Sequence, residues 1–428
     1  MRILFITAFY PPYIVGGWEQ LVQDINTRLQ GRGYTTQVLT STYGVGAASQ
    51  EPGVERALIL DSDVVHYRPL DFFLNRHNTL EHNLSVTRAA ITRFHPDVVF
   101  VHVMWNLSKA IPWQAEQLCP GKVVYYIAND WPYAPDNHTL YWRDPAQRSG
   151  RKLVKLLLAP LALKAIERES EAFPLEFKHV LCVSQAVQRD LTRFAAIPAE
   201  NLQVVYNGVE VEQFTPAEPA RGEGGDVSLL YAGSLVPHKG VHTALEAMAL
   251  LARRPLPCKV TLTLVGAGHP DYEAHLKKMV QESGIEGQVS FWGRVPREEM
   301  PAVLRKFDVL VFPSIWQEPL SRGMQEAMAA GLVVVGTTTG GTTEILIDGE
   351  TGLTFEAENA AELASRLEQL CRDAPLRKRL SENARKVILE KFDLQRMINE
   401  IEAALQQVTG APQAGEAQFD PQPEPALE

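Results

Sequence analysis

The sequence predicts an α/β protein made of two Rossmann-like, doubly wound domains that face a central cleft. The chain has 428 residues, which is more than one ordinary domain contains. Short apolar runs alternate with longer helical patterns, and this order occurs twice along the chain. Most of the short runs are apolar throughout, which is typical of parallel strands covered by helices on both faces.

The front half supplies seven candidate strands, each a short apolar or β-branched run. They are Arg2–Thr7, Thr36–Ser41, Val64–Arg68, Asp97–His102, Lys122–Ile127, His179–Ser184 and Leu202–Tyr206. The helical pattern Glu19–Gln30 follows the first of them. A strand followed by a helix and then by a parallel strand is the repeating unit of a doubly wound sheet.

The back half supplies five more candidate strands separated by helical patterns. The strands are Ser228–Ala232, Lys259–Val265, Val289–Trp292, Val309–Phe312 and Leu332–Gly336. The helices are Val241–Arg253, Asp271–Ser283, Arg297–Lys306, Arg322–Ala330 and Ala360–Leu370. The same strand–helix order therefore predicts a second parallel sheet.

Composition places the domain boundaries. Prolines and glycines concentrate between residues 208 and 226, which predicts a linker between an N-terminal domain, 1–207, and a C-terminal domain, 227–390. A helix is expected over 391–409, packed back on the N-terminal domain. The last residues, 410–428, have little apolar content and are expected to be disordered.

The charge distribution argues against nucleic-acid binding. The formal net charge is −10; residues 1–205 carry 20 basic and 19 acidic side chains, and the remainder carries 21 and 32. Neither half has the basic surplus of a nucleic-acid protein. The four cysteines form no CxxC pair, so no metal site is expected. With no signal peptide or membrane-spanning pattern recognised, we expect a cytoplasmic protein.

The segment after the strand Val309–Phe312 is the most informative. It enters a helix, with Pro319 expected in the first turn and the backbone amides of Leu320 and Ser321 free to bind an anion such as a diphosphate. Glu318 then lies just outside the helix and Glu326 about two turns inside it, roughly 10 Å apart along the axis. This spacing suits a nucleotide-sugar, but a solvated helix with two surface glutamates remains the alternative.

The surrounding motifs resemble the retaining family 4 glycosyltransferases, whose fold is called GT-B. Glu318 and Glu326 fit that family's E-x7-E pattern, and further matches follow in order and spacing. These are Val205–Val209, Ala232–Gly240, Leu264–Gly268, Glu326–Gly331, Gly340–Glu344 and Gly352–Phe355. The resemblance runs from Arg2 to about Gln406, and it implies the GT-B fold and sugar transfer from a nucleotide-sugar.

The resemblance implies a donor-binding role for several residues. Lys239 is expected to bind the diphosphate and to stabilise the departing nucleotide. The other donor-binding positions are Gly16, Gly17, Ser234, Gly266, Arg294, Val295, Glu318, Pro319, Leu320, Ser321 and Glu326. Ser234 stands where the family usually has an arginine, so that one of two phosphate cations is missing.

Three further candidates come from the front half, where the acceptor is expected to bind. Asn129 and Asp130 follow the strand Lys122–Ile127 and resemble a motif in which histidine usually stands at the position of Asn129. Asparagine can donate and accept hydrogen bonds but cannot titrate near neutral pH. His102 stands at the end of the candidate strand Asp97–His102 and resembles another histidine that recurs in the family. The alternative is a histidine with a purely structural role.

We therefore expect a retaining glycosyltransferase with Glu318, Lys239, Asn129, Asp130 and His102 as catalytic candidates. It would need no cofactor or metal and would use a glycan, lipid-linked or small-molecule acceptor. A catalytically weak or inactive relative that binds a sugar-nucleotide or a partner is the alternative, motivated by Asn129 and Ser234.

Residues 151–166 allow two interpretations. Eleven of the fourteen residues from Leu153 to Ile166 are apolar, and Lys155 and Lys164 lie among them. A basic, apolar helix can lie on an anionic membrane, which would make the protein peripheral on the inner membrane face. Pro160 should kink such a helix, and a connecting helix packed on the front domain is the favoured interpretation.

Overall fold

The computed structural model describes residues 1–14, 16–44, 51–64, 66–144, 152–216 and 225–410, and within 152–154 the backbone alone. Most of the predicted linker, at 217–224, and the predicted tail, at 411–428, therefore lie outside the described residues, as does Arg151.

In the described residues the front sheet has seven strands in the order β3-β2-β1-β4-β5-β6-β7. They are β1 (Arg2–Ile6), β2 (Thr35–Ser41), β3 (Val54–Leu58), β4 (Val98–Val101), β5 (Val123–Ile127), β6 (His179–Cys182) and β7 (Leu202–Val204). The strand pairs β1–β2, β1–β4, β2–β3 and β4–β5 are parallel. All four residues of β4 are fully buried, as expected for a strand covered on both faces.

The third strand is not where the sequence analysis placed it. The predicted strand Val64–Arg68 is wrong, because residues 64 and 66–68 are not in a strand, and β3 lies earlier, at Val54–Leu58. The backbone N–H of His66 donates to Asp63 Oδ1 at 2.8 Å, a local turn that competes with extended structure. Pro69 then begins a short helix.

Seven helices accompany the front strands over the part of the chain that the structure describes. They are α1 (Trp18–Gly31), α2 (Pro69–Leu74), α3 (Arg76–Phe94), α4 (Ala110–Leu118), α5 (Asn137–Arg143), α6 (Lys152–Ala172) and α7 (Gln185–Phe194). The helix α6 contains Pro160 and continues to Ala172. None of the described helices combines the length and the apolar character that crossing a membrane requires.

The back sheet is parallel and has the order β10-β9-β8-β11-β12-β13 in the described chain. Its strands are β8 (Val227–Ala232), β9 (Val260–Val265), β10 (Val289–Gly293), β11 (Val309–Phe312), β12 (Val333–Thr337) and β13 (Gly352–Phe355). The sequence analysis predicted the first five but not β13, which begins with a glycine and contains a threonine and therefore has no continuous apolar run. Buried aliphatic side chains from these strands and the flanking helices form one core.

The helices around the back sheet are α8 (Val241–Leu251), α9 (Pro270–Ser283), α10 (Met300–Leu304), α11 (Arg322–Ala329), α12 (Ala360–Arg372) and α13 (Ala374–Lys391). The predicted helix Arg297–Lys306 is shorter than expected, because Arg297–Glu299 form a 3-10 turn before α10. The last helix, α14, spans Leu394–Thr409.

The chain divides into two compact units. Unit 1 comprises Met1–Tyr125, Pro135–Val180 and the chain from Ile398, and unit 2 comprises Tyr126–Ala134 and Leu181–Met397. The C-terminal part of α14 belongs to unit 1, where Tyr34 donates from its hydroxyl to Glu402 Oε1 at 2.5 Å and accepts from Gln406 Nε2 at 3.0 Å.

Candidate active site

The turn after β8 places Lys239 at the carboxyl end of the back sheet, where doubly wound proteins bind their ligands. Pro237–Lys239 form a 3-10 turn, and Gly240, with φ of 66°, leads into α8. A Cβ at Gly240 would overlap the carbonyl oxygen of Pro313. The glycine thus lets this turn touch the loop that follows β11.

Lys239 forms an ion pair with Glu318 in that loop. The Nζ atom of Lys239 lies 2.6 Å from Glu318 Oε1, and Ser314 Oγ donates to the same oxygen at 2.6 Å. Glu318 is only 7 % exposed, and a carboxylate at such a position is costly unless it is paired and hydrogen-bonded. The arrangement thus holds a negative and a positive group side by side at the sheet edge.

In this turn Lys239 carries the positive charge, because His238 is uncharged. Burial and the neighbouring ammonium of Lys239 lower the pKa of His238, so its ring is uncharged at neutral pH. Its carbonyl oxygen accepts hydrogen bonds from the backbone N–H groups of Ile315 and Trp316, at 2.9 and 3.1 Å. This backbone contact ties the Lys239 turn to the loop of Glu318.

A pair of glycines supports Glu318 from the other side. The N–H of Gly341 donates to the carbonyl oxygen of Glu318 at 2.7 Å. A Cβ at Gly340 would overlap the backbone of Glu318, and one at Gly341 would overlap the carbonyl oxygen of Pro319. The Gly340–Gly341 motif therefore permits backbone packing that positions Glu318.

The helix α11 begins at Arg322, as in the predicted helix Arg322–Ala330, and not at the earlier start that a first-turn Pro319 requires. Ser321 is its N-cap and accepts from Met324 N–H at 3.3 Å, so the expected first-turn position of Pro319 is wrong. The anion-binding role expected of the Leu320 and Ser321 amides stays a prediction. The first-turn amides belong to the residues from Arg322 on. The preference of serine for the N-cap position outweighs the preference of proline for the first turn here.

Two side chains hold the segment before this helix. Ser184 Oγ donates to the carbonyl oxygen of Pro319 at 2.6 Å, and Asn207 Nδ2 donates to that of Leu320 at 3.2 Å. Asn207 also accepts from Gln325 Nε2 at 2.7 Å. The sequence motif around Asn207 is thus explained by its contacts with the start of α11.

Glu326 is bound by an arginine that the sequence analysis missed. Arg297 makes a two-point contact with the Glu326 carboxylate, with its Nη1 atom 2.5 Å from Oε2 and its Nη2 atom bonded to Oε1. Glu326 is 4 % exposed and lies about one turn into α11 rather than two. Arg294, the predicted arginine, is exposed.

The loops after β8, β9 and β10 touch through their backbones. The N–H of Gly266 donates to the carbonyl oxygen of Gly293 at 2.8 Å, and a Cβ at Gly266 would overlap the carbonyl oxygen of Gly233. Tyr231 donates from its hydroxyl to the carbonyl oxygen of Ser234 at 2.7 Å. Gly266 therefore serves close packing, while Ser234 is exposed and Val295 half-buried.

Asn129 belongs to unit 2, together with Lys239 and Glu318. It lies two residues after the end of β5 and is 4 % exposed, yet neither its Oδ1 nor its Nδ2 atom has a hydrogen-bond partner among the described residues. An amide buried in this way costs free energy unless a ligand or water completes its bonds. Burial also raises the pKa of the neighbouring Asp130 carboxyl.

The remaining candidates lie in unit 1. The N–H of Gly16 donates to Glu19 Oε2 at 3.0 Å, and Gly17 precedes α1 as its N-cap. His102 is fully buried, and its Nε2 atom lies 3.2 Å from the carbonyl oxygen of Trp18. Gly16 and His102 therefore both contact residues in the first turn of α1.

Two sequence families match the chain in succession. The family described as Glycosyltransferase Family 4 matches residues 15–213, and the one described as Glycosyl transferases group 1 matches residues 217–387. Together they take in each of the candidate residues above and all the strands of both sheets except β1, which confirms the resemblance predicted from the motifs.

Individual proteins are similar over nearly the whole chain. A glycogen synthase of Mycobacterium tuberculosis is 26 % identical over 443 aligned residues, covering 99 % of this chain and 97 % of the relative. A sucrose-phosphate synthase of Thermosynechococcus elongatus has a TM-score of 0.72 at 20 % identity, covering 96 % and 100 %. The Anabaena protein HepE, solved in complex with UDP-glucose, has a TM-score of 0.66 at 21 % identity, covering 95 % and 100 %.

These structural likenesses show the fold, which is GT-B. They confirm the predicted pair of doubly wound α/β domains, each built on one parallel sheet. With both family matches and the ordered motifs, the chain belongs to glycosyltransferase family 4, the group 1 glycosyl transferases.

Proposed function

We propose that this glycosyltransferase is a retaining enzyme that moves a hexose from a nucleoside diphosphate sugar to a hydroxyl group. The ion pair of the half-buried Lys239 with the buried Glu318 is the observation that carries the proposal. It places a cation for the leaving diphosphate beside a carboxylate that can accept hydrogen bonds from sugar hydroxyls. The domains proposed for the donor and the acceptor are 227–390 and 1–207.

In the proposed reaction the bond between the anomeric carbon and the diphosphate oxygen breaks, and the acceptor oxygen bonds to that carbon on the same face. The acceptor proton passes to the departing diphosphate. Lys239 stabilises the charge that grows on the leaving oxygen, and Glu318 orients the sugar. Glu326, held by Arg297, takes the ribose hydroxyls.

Asn129 supports binding of a polar group near the carboxyl end of β5. Its two unpartnered amide atoms can each bond to a sugar hydroxyl, one as donor and one as acceptor. We propose that it positions the donor sugar, a task that needs hydrogen bonding but no titration. Asp130 is proposed to contact the sugar or the acceptor, and His102 to act through its neighbours.

The donor and acceptor classes are also proposals. UDP-glucose is the first donor to test, because the structurally similar HepE is described in complex with it. A glycan, a lipid-linked sugar or a small molecule is proposed as acceptor. No metal ion is proposed, and Lys239 is the cation proposed to offset part of the charge of the diphosphate.

The alternative function is sugar-nucleotide binding without transfer. Asn129 in place of histidine and Ser234 in place of arginine favour it, because both changes remove a group that could carry positive charge. The two functions share a donor site and differ only in whether the donor's glycosidic bond breaks.

Donor hydrolysis without an acceptor separates the two functions. We expect the protein to release free nucleoside diphosphate slowly from one of UDP-glucose, GDP-mannose or ADP-glucose, with water in place of the acceptor. Proton NMR should show the α-anomer of the released sugar first, since retention preserves the donor's configuration. EDTA should leave the rate unchanged.

A protein-free reaction and the Asp271→Asn variant, altered at an exposed residue, serve as controls. If a donor binds but no nucleoside diphosphate is released, the binding function replaces the proposed transfer. Release of the β-anomer first would contradict retention.

A further inference from the structure

Three elements of unit 1 surround a small apolar core. The helices α2, α5 and α6 share the buried side chains of Phe72, Trp142 and Ala162. The ring of Phe73 lies 5.6 Å from that of Trp142, measured between centroids. These elements are therefore packed on one another, as the favoured interpretation of residues 151–166 requires.

The outward face of α6 is nevertheless apolar. Its exposed positions between 155 and 166 are Leu156, Leu157, Pro160, Leu161 and Lys164, a spacing that puts them on one side of a helix. The three leucines are 68, 75 and 63 % exposed. A helix on the surface of a globular protein normally turns polar side chains outward, so the outward face of α6 is unusually apolar.

The neighbouring helices α2 and α5 also expose apolar side chains. In α2, Leu70 and Leu74 are 64 and 70 % exposed, and Phe73 lies between them at helical spacing. Leu140 of α5 is exposed as well. Together, α2, α5 and α6 hold seven of the fifteen exposed large hydrophobic residues in the described chain, so exposed apolar side chains are concentrated in three helices that pack on one another. Such a concentration differs from single apolar residues scattered over a surface.

Basic side chains accompany this patch. Arg68, Arg143 and Lys164 are exposed in or beside the three helices, where the acidic residues include the half-buried Asp71 of α2 and the exposed Asp136, the N-cap of α5. The sequence from Leu153 to Ile166 contains two lysines and no acidic residue; the exposed Glu167 follows it. Lys155 lies 4.2 Å from the centre of the Tyr141 ring. Apolar side chains with basic neighbours are complementary to an anionic lipid surface.

We propose that the face formed by α2, α5 and α6 docks on an anionic phospholipid bilayer. The exposed leucines and Phe73 enter the boundary between headgroups and acyl chains, and Arg68, Arg143 and Lys164 contact lipid phosphates. The contact lies in the plane of the membrane surface. This inference does not depend on the donor chemistry and stands or falls separately from the proposed function.

Vesicle sedimentation with the full chain tests this inference. The protein should sediment with vesicles of phosphatidylcholine and phosphatidylglycerol, less with phosphatidylcholine alone, and less again at high salt. The double variant Leu157→Gln/Leu161→Gln should lower the partition coefficient roughly tenfold or more, because it removes two outward apolar side chains. The variant Lys164→Glu should weaken binding to the anionic vesicles alone.

The matched control is Leu389→Gln, which changes an exposed leucine, 43 % accessible, in α13 of unit 2 and should not alter sedimentation. Circular dichroism checks that each variant is folded. Equal sedimentation of wild type and double variant, or none of the wild type, would overturn the proposal. So would a wild-type dimer that the double variant converts to a monomer, since the face would then join two copies of the chain.

Discussion

Replacing Lys239 by alanine should lower kcat for sugar transfer by about 10²–10³-fold, the usual cost of losing one group that stabilises developing charge. The Nζ atom of Lys239 is bonded to Glu318, which holds the cation at the carboxyl edge of the back sheet. Its main effect should fall on kcat, because charge grows on the leaving diphosphate as the glycosidic bond breaks. Steady-state kinetics with a saturating donor measures this loss.

The matched control for this variant is an exposed ion pair in the same unit. Lys278 and Glu282 lie 3.5 Å apart with side chains 69 and 65 % exposed, and Lys278→Ala should leave kcat within about twofold of wild type because such pairs contribute little. Lys239→Ala should also lower the free energy of unfolding by about 1–3 kcal/mol, since it leaves a buried carboxylate unpaired. Full transfer activity in folded Lys239→Ala would refute the assigned role.

Replacing Glu318 by glutamine should lower kcat/KM by about 10²-fold or more. The substitution keeps the size of the side chain but removes the charge that Lys239 and Ser314 bind. The donor sugar should be less well oriented, and Lys239 should lose the carboxylate that holds it in position. Kinetics of Glu318→Gln beside Glu282→Gln, the control on the exposed pair, measures the effect.

A double-variant cycle shows whether the two residues act together. Lys239→Ala/Glu318→Gln should cost clearly less than the product of the two single losses, because each single change already disrupts the pair. Losses that multiply fully would mean that the ion pair has no part in transfer.

The two sheets, and Lys239 and Glu318 as site residues, could be predicted because both residues lie in loops that follow apolar strands. The carboxyl ends of parallel strands meet at one edge of a sheet, so local patterns suffice to place residues there. The strand at 54–58 was missed for the converse reason. Its residues Val54–Leu58 include two charged side chains, and the more apolar Val64 to Tyr67 competed for the same place.

The partners of the glutamates could not be predicted from the sequence. Arg297 reaches Glu326 from a polar 3-10 turn 29 residues away, and nothing in the local pattern distinguishes it from the exposed Arg294. The unpartnered amide of Asn129 is likewise a consequence of packing. Pro319 was misplaced in the first turn of α11 because proline suits that position, whereas Ser321, two residues later, is the better N-cap.

Nucleotide binding to wild type and to Glu326→Ala tests the central claim most directly, namely that the site on unit 2 binds a nucleoside diphosphate sugar. Thermal unfolding is followed with increasing UDP, UDP-glucose, GDP-mannose or ADP-glucose, and a ligand at 100 times its Kd adds about 2.7 kcal/mol of stability. We predict that one of these ligands raises the Tm of wild type and of Glu282→Gln, and that Glu326→Ala needs at least roughly tenfold more ligand for the same shift, because it loses the ribose contact. An unchanged Tm of wild type with every ligand, or an equal ligand dependence of Glu326→Ala, would contradict the claim.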